Sequence, residues 1–265
     1  CWDMQKGIFD SQKTIFESTI VSVFSSSSGS GKTLYALNLG LSLNKETHKS
    51  VVILEIVTNE ESHSLSHKLN IPDQAKSVYL SDPSFDLNKI KEFISKSAFA
   101  ADLICLKYDP RDSAWVNRLI AGLSVLVNDY HYIVIDLPAH MDKHVFKALN
   151  QSDTIHILTS PEEHDLKRTA SLVERLKRDF NFPDTKINTI INQYKLSKLS
   201  HQEQSQLLGR KIFATLPMIQ LASVDRLVLE NPDSEYARAV RRISREVGDS
   251  QVGLALGVGV AYGFC

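Results

Sequence analysis

A glycine- and serine-rich run ends in Gly29, Ser30, Gly31, Lys32 and Thr33, residue types suited to holding phosphate. Glycines let a loop bring successive main-chain N–H groups close to phosphate oxygens, and a helix starting there adds positive potential. Lys32 is placed to neutralise β- and γ-phosphates, and the Thr33 hydroxyl to ligate Mg2+. With Leu34, these residues form the candidate nucleotide-binding cradle. The usual pattern carries a glycine five residues before the second one; here that position is Ser26. A serine-rich turn without a ligand is the alternative.

Two acids are candidates to complete the site. Asp136 closes an apolar run at residues 132–136. A carboxylate at the C-terminal end of a strand beside the loop holds the metal directly or through water; a helix-capping aspartate is the competing possibility. Glu55 interrupts a second apolar run, 50–57, where an unpaired charge is costly. Beside phosphates and Mg2+ it would orient the attacking water; at a solvated strand end it would have no such role. The chemistry is therefore assigned to Lys32, Glu55 and Asp136, and the metal to Thr33 and Asp136.

These residues need strands and helices to position them. The β-branched run before the loop predicts a strand, and residues 34–43 a helix, which is the context a phosphate loop requires. The near-continuous apolar run at 50–57 reads as a strand buried on both faces, and residues 132–136 and 154–159 as strands. Further strands are expected at 102–107, 186–191 and 211–215. Helices are expected at 61–69, 87–99, 114–126, 141–150, 162–180 and 233–247. Alternating strands and helices predict an α/β fold, a doubly wound, mostly parallel sheet with helices on both faces.

The 265 residues suit one large α/β domain or two small ones. A hydrophobic fraction of 43% and a charged fraction of 23% are ordinary for a globular chain. The formal net charge of -1 gives no pull toward nucleic acid or an anionic membrane. Arginines at 238, 241, 242 and 245, and the basic residues Lys167, Arg168, Arg175, Lys177 and Arg178, could make such contacts locally; solvated helix faces are the plainer reading. Cys1, Cys105 and Cys265 show neither metal spacing nor a disulfide framework, which points to a reducing cytoplasm. No apolar run reaches the roughly 18 residues of a spanning helix. His140 and His144 are four apart, a spacing more in keeping with a solvated pair than a metal site. Residues 1–18 read as a linker or the end of something upstream, and the start at Cys1 as an excised piece.

The chain resembles the MinD/ParA group of P-loop ATPases, and within it the pilus-assembly branch called CpaE or TadZ. The resemblance is carried in order by residues 28–40, 132–138, 154–161, 190–194 and 207–217, within a span of 19–247. It implies a Mg-ATP site, a nucleotide-sandwich homodimer, and slow hydrolysis coupled to positioning, in the cytoplasm or peripherally at the inner membrane. It also implies that Asn192 contacts adenine and that residues after Pro217 line the base. Ser27 stands where that group usually carries a signature lysine reaching into the partner's site, Ser28 replaces the next glycine, and the acid pair becomes Glu55 and Val57. Loss of one positioned cation at a transferring phosphoryl group costs on the order of 10³-fold in rate.

Residues 251–265 read as a new apolar strand running into a Gly-rich turn. They resemble the opening of patatin-like lipid hydrolases, with Gly257, Gly259 and Gly263 spaced as in an oxyanion loop. The Gly-x-Ser-x-Gly nucleophile elbow is absent from the chain. The resemblance implies a truncated start, at 249–265, of a downstream acyl-ester hydrolase for which 19–248 would be a regulatory module. A plain C-terminal strand is the alternative.

Overall fold

A computed structural model describes residues 17–71, 76–99, 101–139, 143–193, 196–219 and 225–259. Eight strands form one sheet: β1 (Thr19–Ser25), β2 (Val51–Thr58), β3 (Ser77–Tyr79), β4 (Ala101–Tyr108), β5 (Tyr132–Asp136), β6 (Thr154–Thr159), β7 (Ile187–Asn192) and β8 (Ala214–Leu216). Their order is β3-β4-β2-β5-β1-β6-β7-β8, and every named pairing is parallel. The connection from β1 runs to one side of the sheet and that from β5 to the other, so a crevice opens at the C-terminal ends of β1 and β5, where α/β sheets bind ligands.

Strand alternation divides the core in two. Val52, Leu54, Ile104, Ile133, Ile135, Ile155 and Ile157 pack beneath α3 (Trp115–Leu126), α4 (Lys143–Leu149) and α5 (Glu163–Phe180). Val21, Val23, Val51, Ile53, Leu103, Cys105 and Val134 face α1 (Lys32–Thr47), α2 (Leu65–Lys68), α7 (Leu227–Glu230) and α8 (Glu235–Gly259). The apolar runs are continuous because both faces are covered. The contact of α1 with α8 includes the buried hydroxyl pair Ser42–Ser244 at 2.8 Å. Asn38 ties α1 to the segment before α8, donating to Asp225 O and accepting from Val228 N.

The doubly wound parallel sheet is as the sequence predicts, and most elements fall within two or three residues of expectation. Residues 87–99 differ. Only a 3₁₀ turn at Leu87–Phe93 forms, capped by Asp86, and Ser95 pairs antiparallel with Leu103; Ile90 is buried while Ile94 is extended and only partly covered. The strand expected to open residues 251–265 is helix as far as it is described, because α8 continues through Gly248 to Gly259. Two helices escape the apolar pattern, α7 and the polar α6 (His201–Leu208). The latter is set by a capping box between Ser200 and Glu203. Residues 1–16 of the linker expected at 1–18, His140 and Gly263 lie outside the described residues. Among those described, no helix is long and apolar enough to cross a membrane.

Candidate phosphate and magnesium site

Strand β1 delivers the loop at its C-terminal end, and α1 leaves it at Lys32. Gly29 and Gly31 are both left-handed, with φ of 72° and 84°, a region that residues with a Cβ enter at a cost of about 1–2 kcal/mol. Gly31 is the N-cap of α1, and no side chain caps this 16-residue helix. Its first-turn N–H groups therefore open toward the loop, the arrangement that binds anions.

Ser26, in the place of the usual first glycine, is buried with its hydroxyl 3.0 Å from Thr169 Oγ1 of α5. The absent glycine is thus filled by a contact that pins the loop to α5. Ser25 Oγ donates to Ser27 O and accepts from Ser27 N, while Ser28 and Gly29 form the exposed rim. Opposite them, Asn192 at the end of β7 donates from Nδ2 to Ser30 O at 2.9 Å, bracing the loop from the adjacent side. Its amide therefore lies against the phosphate loop itself.

Thr33 and Asp136, the two residues assigned to the metal, lie together in the structure. Thr33 Oγ1 donates to Asp136 Oδ2 at 2.5 Å. Asp136 is 5% exposed, and its Oδ1 has no hydrogen-bond partner. Burial raises its carboxyl group to about 6; Lys32 and Thr33 pull the other way, and Glu55 adds to the rise. A hydroxyl beside a buried carboxylate with a vacant oxygen is a hard-oxygen donor set, the kind that suits Mg2+. Lys32 begins the helix within electrostatic reach of that carboxylate, and Leu34 contributes its carbonyl to Asn38.

Glu55 is opposite Asp136 in the β2–β5 register, so the sheet does bring the two acids side by side. It is buried, not at a solvated strand end. Its Oε1 accepts from Ser64 N at 2.8 Å and Ser64 Oγ at 3.1 Å, its Oε2 from Leu65 N at 3.1 Å, and His63 Nδ1 lies 3.4 Å away. Burial opposes its ionisation, but His63 and the Ser64 and Leu65 amides outweigh that and hold the carboxyl below the usual glutamate range. These contacts join β2 to the start of α2. The parts the sequence did not point to are Thr169, His63 and the Asn192 brace; the first two had no local pattern to flag them.

The basic faces are engaged locally. Lys167 pairs with Glu163 at 2.6 Å, Arg178 with Asp179 at 2.7 Å and Arg245 with Glu46 at 2.6 Å, while Arg175 stacks on Phe146. Such exposed pairs are screened by solvent, contribute little to stability and suit solvated faces.

A family model described as the CobQ/CobB/MinD/ParA nucleotide binding domain matches residues 21–228. The septum site-determining protein MinD of Thermotoga maritima is 25% identical over 249 residues, spanning 86% of this chain and 87% of that protein. A ParA family ATPase from Chlorobium tepidum superposes with a TM-score of 0.69 at 20% identity, over 86% of this chain and 98% of that one. The MinD protein of Pyrococcus horikoshii, solved with Mg-ADP, gives 0.65 at 22% identity, over 87% and 96%.

Proposed function

Because the chain belongs to the CobQ/CobB/MinD/ParA nucleotide binding domain family, we propose that it is a Mg-ATP-dependent switch that hydrolyses ATP slowly. One observation carries this most strongly: the Thr33 hydroxyl on Asp136, whose second oxygen is buried without a partner. Two oxygen ligands are thereby held at the mouth of an uncapped helix whose first residue is a lysine.

The loop N–H groups and Lys32 would take the phosphates, Lys32 offsetting charge on the β- and γ-groups. Thr33 and Asp136 would turn their shared oxygens to Mg2+, which, when bound, offsets the charge that develops on the phosphoryl oxygens. Asn192, by holding Ser30 O, keeps Gly31 in its left-handed turn and stands at the edge where the base would lie. Glu55 could orient water only by releasing Ser64 and Leu65, which argues for slow turnover. Ser27 argues the same way, since no cation from this position would reach a partner's phosphates in a homodimer.

Affiliation with the pilus-assembly branch, and a patatin-like module after residue 249, rest on the short stretches of sequence quoted above. So does an action at the inner membrane surface, which would be peripheral.

Phosphate release by the wild type and by Ser27→Lys tests the dimer part of the proposal. The half-exposed Ser27 site accepts a long side chain. The variant is expected to hydrolyse ATP faster by about 10-fold or more, approaching the 10³-fold worth of a positioned cation, with a rate that rises with protein concentration. Equal rates at every concentration would remove the sandwich dimer from the account.

A further inference from the structure

Asp136 of β5, Glu55 of β2 and Cys105 of β4 stand in one row across three neighbouring strands. Phosphate chemistry uses the first. The other two belong to a separate cluster with His63, which follows β2 and closes over the row. One ligand atom from each of Glu55, His63 and Cys105 lies within 4.8 Å of the other two. The side chains of His63 and Glu55 are 8% and 3% exposed. His63 Nδ1 faces Glu55 Oε2 at 3.4 Å, while its Nε2 is buried without a hydrogen-bond partner. A buried ring nitrogen left so is costly and calls for an explanation. Cys105 is a buried free thiol.

We propose that Glu55, His63 and Cys105 form a site for a zinc-class divalent cation, distinct from the Mg2+ ligands Thr33 and Asp136. Thiolate, imidazole and carboxylate are the zinc donors, and three protein ligands leave a fourth position for water. Tetrahedral bonds of about 2.0–2.3 Å set ligand atoms roughly 3.3–3.6 Å apart. His63 and Glu55 are already at 3.4 Å, so side-chain rotation by Cys105 and His63 closes the set. The carboxylate is oriented for this role: Oε1 is held by the Ser64 amide and hydroxyl, and Oε2, which accepts from Leu65 N at 3.1 Å, also faces His63. Such outer partners fix metal ligands in place. Residues 59–62, just before His63, are exposed and give an entry path. On binding, the Cys105 thiol releases its proton to solvent and its sulfur lone pair forms the metal–sulfur bond, with no change of oxidation state. The two neighbouring sites then sort cations by donor type, hard oxygens for Mg2+ and a thiolate set for zinc. With Glu55 so engaged, it is not available to orient water.

The test is a titration of the nucleotide-free chain with Co2+, which reports thiolate ligation by a charge-transfer band in the near ultraviolet. One equivalent of Co2+ is expected to develop that band together with intense tetrahedral visible bands, and Zn2+ to bleach both. Cys105→Ser should lose the band. A Cys1→Ser/Cys265→Ser variant should keep it, and His63→Ala should weaken Co2+ binding by about 10-fold or more. Circular dichroism confirms folding of each variant. Absence of the band from the wild type, or its retention in Cys105→Ser, overturns the proposal. If Cys105→Ser does not fold, unchanged Co2+ affinity in His63→Ala overturns it equally. Since no nucleotide is present, the result is independent of the ATP reading.

Discussion

Asp136→Asn is expected to weaken Mg-ATP binding by on the order of 10²-fold while gaining stability over the wild type as pH rises. The asparagine keeps an oxygen for Thr33 Oγ1 but cannot ionise. In the wild type, burial first of all moves the carboxyl from an ordinary 3.8 to about 6. Below pH 4 the group is protonated whether the chain is folded or not. Between about 4 and 6 the unfolded chain has lost its proton and the folded chain still holds it, so stability falls with rising pH at about 1.4 kcal/mol per unit. Above 6 the full penalty, about 2–3 kcal/mol, remains. The stability difference between Asp136→Asn and wild type should therefore grow by about 2–3 kcal/mol from pH 4 to pH 7.5. Urea denaturation across that range measures it, and parallel pH profiles would contradict the burial argument. A residue that destabilises the free chain and is relieved by a bound cation has the character of a functional site.

Gly31→Ala should be the most damaging small substitution in the loop. Its φ of 84° alone penalises a side chain by about 1–2 kcal/mol. The added Cβ would also sit 2.4 Å from Asn192 Nδ2. That atom is the end of a side chain and can move, but only by giving up its bond to Ser30 O, worth about 1 kcal/mol. The sum, about 2–3 kcal/mol of stability, should appear in chemical denaturation, with Mg-ATP affinity reduced by 10²-fold or more, on the order of the cost of misplacing a positioned group. Adding Asn192→Ala removes the clash and not the backbone strain. The double variant should therefore be less than additive, and full additivity would show that the two residues do not meet.

The sheet was legible because strands covered on both faces are rich in apolar residues: the run at 50–57 reads so and forms β2, and residues 132–136 and 154–159 coincide with β5 and β6. The phosphate loop was legible because its geometry demands particular residue types. Asp136 was picked out by one rule, an acid at a strand end, and it lies 2.5 Å from the Thr33 hydroxyl. Short or polar elements were not legible by periodicity. β3 has three residues, and α6 is defined by the capping box between Ser200 and Glu203. At 87–99 the apolar spacing was helical, but Ser95 is claimed by Leu103 of β4, a tertiary contact that local pattern does not carry. At 251–259 small apolar residues and glycines suggested a strand, whereas the preceding amphipathic helix simply continues. His63 and Cys105 were invisible as neighbours of Glu55 because the cross-strand register, not sequence spacing, unites them.

The most direct test of the nucleotide switch is calorimetric titration of the wild type and Lys32→Ala with Mg-ATP, followed by phosphate release on the same samples. Micromolar binding by the wild type, abolished in Lys32→Ala and accompanied by slow release, is the predicted result. Absence of binding to the folded wild type, or equal binding to Lys32→Ala, would contradict it.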